Sequence, residues 1–212
     1  MELAKKLNCK VFIGAGSQAE YGRSLDTLTE ETSCQPETAY GMAKLCVGQM
    51  TRLYATQIGL DHVWTRILSG YGPNCQPQSI INYTITELLA GRSPELTGCD
   101  QIWDFIYTKD VARAMLLLAQ KGVDKETYII GSGFSEPLKN YIIKTRDIVN
   151  DITGKDTAIK FGARPYGSST VMHLACDITK LKSDTGFSLK YSFEEGIRET
   201  ANWIYNIKKC GE

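Results

Sequence analysis

Two side chains that could move a proton together, Tyr40 and Lys44, lie four positions apart in the sequence. Residues four apart on a helix project from the same face, so a phenol and an ammonium group with this spacing can share a partner. A phenol is a poor base at neutral pH, and a neighbouring positive charge favours its phenolate form. The pair is therefore a candidate for general acid/base catalysis.

The same spacing also occurs at Tyr205 and Lys209, so the spacing alone is a weak signal. The earlier pair differs because Ser17 stands upstream of it, directly after an apolar run and a glycine-rich segment, where its hydroxyl could lie beside the phenol. We therefore assign the acid/base role to Tyr40 and a structural role to Tyr205.

Apolar runs that alternate with glycine- and proline-rich breaks predict the elements that position these residues. Residues 10–13 predict a strand that Gly14–Gly16 ends as a tight turn, and Glu37 supplies the acidic first turn of a helix over residues 38–58. Further strands are predicted near residues 62–68 and 127–130, shorter extended segments near residues 95–97, 104–107 and 158–161, and helices near residues 79–90, 110–120, 138–152, 178–184 and 193–207. The order strand, helix, strand is typical of parallel crossover units and predicts an α/β fold.

The composition excludes several classes of partner. Basic and acidic residues number 24 each and are interspersed, so no long-range field would attract nucleic acid or a membrane surface. The sequence has neither an apolar run of signal length at its start nor a run long enough to span a membrane, which predicts a cytoplasmic protein. Seven scattered cysteines without a Cys-x-x-Cys motif, and only two histidines, predict no metal site and reduced thiols that mostly fill the core.

Three motifs in fixed order carry a resemblance to a known family. They are Gly16-Ser17-Gln18-Ala19-Glu20-Tyr21-Gly22, Tyr40-Gly41-Met42-Ala43-Lys44 and Arg66-Ile67-Leu68-Ser69-Gly70-Tyr71-Gly72-Pro73. Together with the later runs at residues 103–112, 128–133 and 193–197, they resemble extended short-chain dehydrogenase/reductases of the NAD-dependent epimerase/dehydratase family, which act on nucleotide sugars.

The resemblance implies both a fold and a site. Residues 1–75 and about 108–135 would form a partial Rossmann-like layer, and residues about 76–107 and 136–212 a small α+β substrate-binding lobe. The implied catalytic triad is Ser17, Tyr40 and Lys44, with NAD or NADP as cofactor. The other implied roles are cofactor binding by Lys44, Arg66, Leu68 and Ser69, and substrate binding by Ser17, Trp103 and Arg164.

The sequence also departs from the family pattern. Trp103 stands where family members usually carry a phosphate-binding arginine, so it either stacks on the substrate or packs in the core. Arg164 lies where the family often has a second such arginine. Gln18 and Ala19 replace the acidic pair of the sugar 4,6-dehydratases, which disfavours dehydration. The motif variants at residues 16–22 and 103–107 resemble those of a branch of 4-ketoreductases and epimerases that finish 6-deoxyhexoses for bacterial surface polysaccharides.

The family's dinucleotide fingerprint, Gly-x-x-Gly-x-x-Gly after the first strand, does not occur among the 16 residues that precede Ser17. We therefore expect a truncated Rossmann-like parallel sheet that does not bind NAD(P) by itself. Two hypotheses follow: the chain is the catalytic and substrate half of an oxidoreductase, or it is a non-catalytic remnant that binds a nucleotide sugar or a protein.

The expected partners follow from the same truncation. In the strand order that the family resemblance implies, the strand at residues 10–13 would pair with residues 62–68 on one side and keep a bare edge on the other. The helix over residues 38–58 would present Met42, Cys46, Met50 and Leu53 outward. We therefore expect either a homo-oligomer or a complex with a separate amino-terminal Rossmann polypeptide.

Overall fold

The computed structural model describes residues 1–210, and their side chains through residue 207. The helices and strands are α1 (Glu2–Lys6), β1 (Val11–Ser17), α2 (Ala39–Ile58), β2 (Asp61–Ile67), β3 (Ser69–Tyr71), α3 (Ile80–Leu89), β4 (Ile102–Trp103), β5 (Phe105–Tyr107), α4 (Thr108–Lys121), β6 (Thr127–Ile130), β7 (Glu136–Pro137), α5 (Leu138–Thr153), β8 (His173–Leu174), α6 (Thr179–Thr185) and α7 (Phe193–Cys210).

The main sheet is parallel and has the strand order β1-β2-β6. On β2, successive side chains point to opposite faces. His62 contacts Thr51 of α2, whereas Val63 packs in one hydrophobic cluster with Leu118 of α4. Helices therefore cover both faces of this sheet, and the predicted α/β fold with a Rossmann-like parallel sheet is confirmed. Within residues 1–210, β1 pairs with β2 alone, so its other edge is open.

The prediction that Gly14–Gly16 forms a tight turn is wrong, because β1 continues through this segment to Ser17. These glycines serve close packing instead. A Cβ atom on Gly14 would overlap the Trp64 ring, and one on Gly48 of α2 would lie 2.7 Å from Trp64 Cε2. The indole is therefore held between β1 and α2 at positions where any side chain would push the layers apart.

Helix α2 begins and ends within one residue of the predicted bounds. Its N-cap is Thr38, whose hydroxyl accepts a 3.0 Å hydrogen bond from the Gly41 amide. The prediction that Glu37 supplies the acidic first turn of this helix is wrong, because Glu37 precedes the N-cap. Its carboxylate accepts a 2.6 Å bond from the Arg23 Nε atom instead.

Helices α3, α5 and α7 pack around a second, aromatic-rich core. Two small sheets adjoin it, the parallel pair β3-β5 and the mixed sheet β7-β4-β8. The extended segments predicted at residues 95–97 and 158–161 form only a single bridge between Glu95 and Lys160. Among the described helices, none is long and apolar enough to cross a lipid bilayer.

The cysteines with described side chains are free thiols, as expected. The expectation that they mostly fill the core is wrong. Only Cys99 and Cys176 are buried, whereas Cys9 and Cys46 are exposed. The side chain of Cys210 lies outside the described residues.

Candidate functional site

The predicted Tyr–Lys pair lies at the start of α2, beside the carboxyl end of β1. The Lys44 ammonium group donates a 2.7 Å hydrogen bond to the carbonyl oxygen of Ala15, two residues before Ser17. Its Nζ atom lies 5.7 Å from the centre of the Tyr40 ring, and the tyrosine side chain is 57 % exposed. The structure thus brings an anchored positive charge to an accessible phenol at the end of a parallel strand, where α/β proteins bind ligands.

Ser17 is the last residue of β1 and caps the short 3-10 turn Gln18–Glu20. Its Oγ atom accepts a 3.2 Å hydrogen bond from the Ala19 amide. Because the oxygen accepts this bond, its own proton remains available for donation to another oxygen. A serine in this state can hydrogen-bond a carbonyl or hydroxyl oxygen of a substrate.

A buried carboxylate behind Ser17 was missed in the sequence analysis. Glu20 accepts hydrogen bonds from the Ser17 amide at 2.9 Å, from Trp64 Nε1 at 3.1 Å and from Arg66 Nε at 3.0 Å. The signal that could have found it is the capping-box pattern, a serine followed three residues later by a glutamate. The structure contains both reciprocal bonds of that box.

The predicted cofactor-binding residues after β2 are largely engaged within the protein. Arg66 is bonded to Glu20, and its guanidinium group lies 4.6 Å from the centre of the Tyr21 ring. Leu68 is buried. The hydroxyl of Ser69 accepts a 2.8 Å hydrogen bond from the indole nitrogen of Trp103.

Trp103, a predicted substrate-binding residue, has contacts typical of a residue in the core. Besides donating to Ser69, it packs at a tilt against Phe105, with ring centres 6.3 Å apart. Its side chain also lies against both hydrophobic cores. These contacts favour the packing alternative for Trp103 and make it a support for Ser69.

Arg164, the other predicted substrate-binding residue, is an exposed side chain on the loop between α5 and β8. One guanidinium nitrogen donates a 3.2 Å hydrogen bond to the Tyr83 hydroxyl, and the group lies 5.3 Å from the centre of that ring. Its amide donates to the Leu96 carbonyl, which fixes the loop. An exposed, braced guanidinium is suited to binding an anionic group such as phosphate.

Two open grooves adjoin the Ser17–Tyr40 region. The larger, the β1–α2 groove, has a volume of about 360 Å³ and is lined by Phe12, Ile13, Gly14, Ala15, Tyr40, Ala43, Lys44, Val47 and Trp64. The smaller has a volume of about 160 Å³ and is lined by Gln18, Ala19, Gly22, Arg23, Glu37, Thr38, Ser169 and Val171. The triad region therefore has room for ligands on two sides.

The fit to a dinucleotide differs between the surroundings of Tyr40 and two glycine-containing segments near the site. Tyr40 and Lys44 are accessible from the β1–α2 groove and suit a nicotinamide ribose. A pyrophosphate cradle requires free amides in a glycine turn that opens a helix. The segment Gly14–Gly16 is extended, and after β6 the amides of Ser132 and Gly133 are bonded to the Asp104 carboxylate at 2.9 and 3.0 Å. Neither segment offers such a cradle.

Comparisons with known proteins identify the family of this chain. Residues 1–131 match the family model described as NAD dependent epimerase/dehydratase family. A dTDP-glucose 4,6-dehydratase of Escherichia coli is 30% identical over 195 residues, covering 87% of this chain and 53% of that protein. One from Shigella flexneri is 28% identical over 203 residues, covering 90% and 56%. The chain thus spans about half the length of the curated relatives it matches.

Solved structures of two epimerases are similar in fold to this chain. A UDP-N-acetylglucosamine 4-epimerase from Methanobrevibacter ruminantium M1, in complex with UDP-N-acetylmuramic acid, superposes with a TM-score of 0.86 at 26% identity, covering 96% of this chain and 66% of that one. A UDP-glucose 4-epimerase from Thermotoga maritima, with UDP-glucose, gives a TM-score of 0.84 at 27% identity, covering 100% and 67%.

Proposed function

Because the chain belongs to the NAD dependent epimerase/dehydratase family, we propose that it carries the catalytic and substrate-binding residues of an NAD(P)-dependent nucleotide-sugar oxidoreductase. The observation that carries this proposal is the anchoring of Lys44 to Ala15 beside the exposed Tyr40 ring, at the strand end that carries Ser17. This arrangement contains three groups that suit oxidation or reduction at a sugar carbon, namely a proton carrier, an anchored positive charge beside it and a hydrogen-bond donor.

In the proposed mechanism, Tyr40 moves a proton to or from the sugar oxygen while the Ser17 hydroxyl donates a hydrogen bond to the same oxygen. Lys44, anchored to the Ala15 carbonyl, lies beside the Tyr40 ring and would hold the nicotinamide ribose. When bound, a nicotinamide cofactor would supply or accept hydride at the carbon that bears this oxygen.

Within this class we propose a 4-ketoreductase or epimerase of a 6-deoxyhexose that enters a surface polysaccharide. The support lies beside Ser17, where Gln18 and Ala19 line the smaller groove and carry no acidic group. The curated relatives named above are dehydratases, and elimination of water in such enzymes uses an acidic pair at these two positions, as the family resemblance implies. A neutral pair retains proton and hydride transfer but lacks the groups for elimination.

The proposed substrate contacts extend from the triad to the carboxy-terminal lobe. Arg164 binds a phosphate of the nucleotide diphosphate, because its guanidinium group is exposed and braced by Tyr83. Trp103 supports the site through its bond to Ser69. Arg66 and Leu68 border the nicotinamide from the end of β2, with Arg66 held there by Glu20.

We further propose that residues outside this chain complete the cofactor site, either in a separate amino-terminal Rossmann polypeptide or in a longer chain. The open edge of β1 and the adjoining β1–α2 groove support this, because an unpaired parallel edge with apolar neighbours is suited to receiving another strand. The competing hypothesis, a non-catalytic module that binds a nucleotide sugar, is supported by the lack of a pyrophosphate cradle in the described segments.

Ligand binding by the isolated chain tests the proposal. We expect UDP-, dTDP- or CDP-sugars to raise its melting temperature, and Arg164→Met to abolish this rise. Arg198→Met is the matched control, since Arg198 is a solvent-accessible arginine that pairs with Asp151 at 3.1 Å. NAD⁺ and NADP⁺ should bind more weakly than about micromolar in calorimetry, because the pyrophosphate lacks its cradle.

The outcomes separate the hypotheses. If none of the nucleotide sugars changes the melting temperature, the proposed substrate class is wrong. Sugar binding without turnover would favour the non-catalytic module if it is found, with cofactor present, both in the longest native polypeptide that contains this sequence and in its complex with an amino-terminal Rossmann polypeptide.

A further inference from the structure

The most completely bonded acidic group near the candidate site is Glu20, which has no catalytic assignment. Its side chain is 0 % exposed, and its two oxygens accept bonds from a backbone amide, an indole and a guanidinium group. A buried carboxylate is tolerated only when it is paired and hydrogen-bonded. If its partners moved away, the buried charge would be left unpaired and the folded state would be destabilised. The carboxylate therefore holds those partners in place.

The partners of Glu20 come from two different strands. The Ser17 amide belongs to the last residue of β1, whereas Trp64 and Arg66 stand two residues apart on β2 and face the same side of the sheet. The carboxylate therefore ties the serine-bearing end of β1 to the part of β2 that leads into Leu68.

The same bond restricts Ser17 directly. Its amide is held by Glu20, and its Oγ atom accepts from the Ala19 amide within the same capping box. With the backbone and the oxygen both fixed, only the direction of the hydroxyl proton remains free. That is the freedom a hydrogen-bond donor to a substrate oxygen requires.

We propose that Glu20 is a positioning residue for Ser17, an inference that rests on the proposed oxidoreductase function. The side chain acts through the serine and does not touch the substrate. A carboxylate is required because three donors converge on its two oxygens. Glutamine has only one oxygen, and when the charged Arg66 retains it, the NH₂ group faces the Ser17 amide and Trp64.

The test compares Glu20→Gln with Glu30→Gln in the longest native polypeptide that contains this sequence, with cofactor and nucleotide sugar. Glu30 is a matched control because its carboxylate also accepts a strand amide, that of Ile129 at 3.0 Å, at a strand other than β1. We expect Glu20→Gln to lower kcat about 100-fold, the loss typical of a misplaced catalytic group, with KM changed less than about threefold. Glu30→Gln should leave both constants near the wild-type values.

Amide hydrogen exchange supplies a readout independent of activity. Glu20→Gln should speed exchange of the Ser17 amide and leave the Ile129 amide protected, and Glu30→Gln should do the reverse. Glu20→Asp keeps the charge but shortens the side chain, so it should also release the Ser17 amide. If Glu20→Gln does not fold, Glu20→Asp takes its place in the test.

Unchanged kcat in Glu20→Gln, or equal losses of kcat in both glutamine variants, would overturn the positioning role. If the wild-type polypeptide shows no turnover, either alone or in a complex with an amino-terminal Rossmann polypeptide, the proposed function fails, and exchange alone decides. In that case a Ser17 amide that stays protected in both Glu20 variants refutes the inference.

Discussion

The ammonium group of Lys44 donates a 2.7 Å hydrogen bond to the carbonyl oxygen of Ala15 and so ties the first turns of α2 to the carboxyl end of β1. The bond fixes the lysine charge 5.7 Å from the centre of the Tyr40 ring. A flexible side chain is thereby restricted to a single position beside the candidate proton carrier.

Replacing Tyr40 with phenylalanine should remove most hydride transfer, by a factor of about 10² to 10⁴, because the variant has no phenolic proton to move. The assay follows the absorbance of reduced nicotinamide in the native polypeptide or in a reconstituted complex. Tyr205→Phe is the control and should retain nearly full activity. Comparable losses in both variants would show that the acid/base role was assigned to the wrong tyrosine.

Acid should destabilise the fold through His62. Burial lowers the pKa of this imidazole below its ordinary 6.5, and the nearby charge of Arg52 lowers it further. The folded state thus favours the neutral form, so this contribution to stability is complete above the ordinary pKa and is lost as the pH falls below it. The urea midpoint should therefore fall between about pH 7 and pH 5.

The histidine variants identify the source of this pH dependence. His62→Phe keeps the ring between Phe12 and Trp64 but loses the 2.9 Å bond between Nε2 and Thr51 Oγ1, so it should show a weaker pH dependence at some cost in stability. His173→Asn should keep the wild-type pH dependence. If the urea midpoint of His62→Phe depends on pH as strongly as that of the wild type, groups other than His62 cause the pH dependence.

Asp104→Asn should lower the free energy of unfolding by about 1–3 kcal/mol, the cost of leaving buried donors without an acceptor. Its fully buried carboxylate accepts from the Ser132 and Gly133 amides and from the Cys176 thiol. Asp100→Asn, at an exposed position, should change the free energy of unfolding by less than about 0.5 kcal/mol. Denaturant titration measures both, and equal effects would contradict the assigned role of Asp104.

Gly48→Ala tests the packing of Trp64 between β1 and α2. Alanine favours a helix over glycine by about 1 kcal/mol. Overpacking costs about 1–3 kcal/mol, and the new Cβ would lie 2.7 Å from Trp64 Cε2, so we expect net destabilisation. Gly167→Ala, where the nearest atom is 3.7 Å away, should be nearly neutral. A stabilised Gly48→Ala would mean that the indole can move aside.

The isolated chain should form a homodimer or a larger assembly. The outer face of α2 exposes Met42, Met50 and Leu53, with Met50 63 % and Leu53 69 % accessible, next to the open edge of β1. Light scattering after size exclusion should report a mass above 23.6 kDa. Met50→Lys should lower the measured mass, whereas Leu116→Lys, at an exposed apolar site on α4, should leave it unchanged. A stable 23.6 kDa monomer would contradict this expectation.

The sequence alone predicted the features that depend on local periodicity. The apolar runs of β1 and β2 and the long helix between them follow from patterns within a few residues, whereas the pairing of β1 with β2 was expected from the strand order of the family. The same holds for the shared helical face of Tyr40 and Lys44. These features are predictable because the backbone geometry of helices and parallel crossovers is set by local spacing.

Only the tertiary structure decided the contacts between residues distant in sequence. Glu20 meets Trp64 and Arg66 across 44 and 46 positions, and Trp103 reaches Ser69 across 34. The segment Gly14–Gly16 looked like a turn because glycine permits turns and close packing equally, and the Trp64 ring that selects packing lies on another strand. Burial and donor geometry, which fix the partners of a carboxylate or an indole, arise only once the layers have packed.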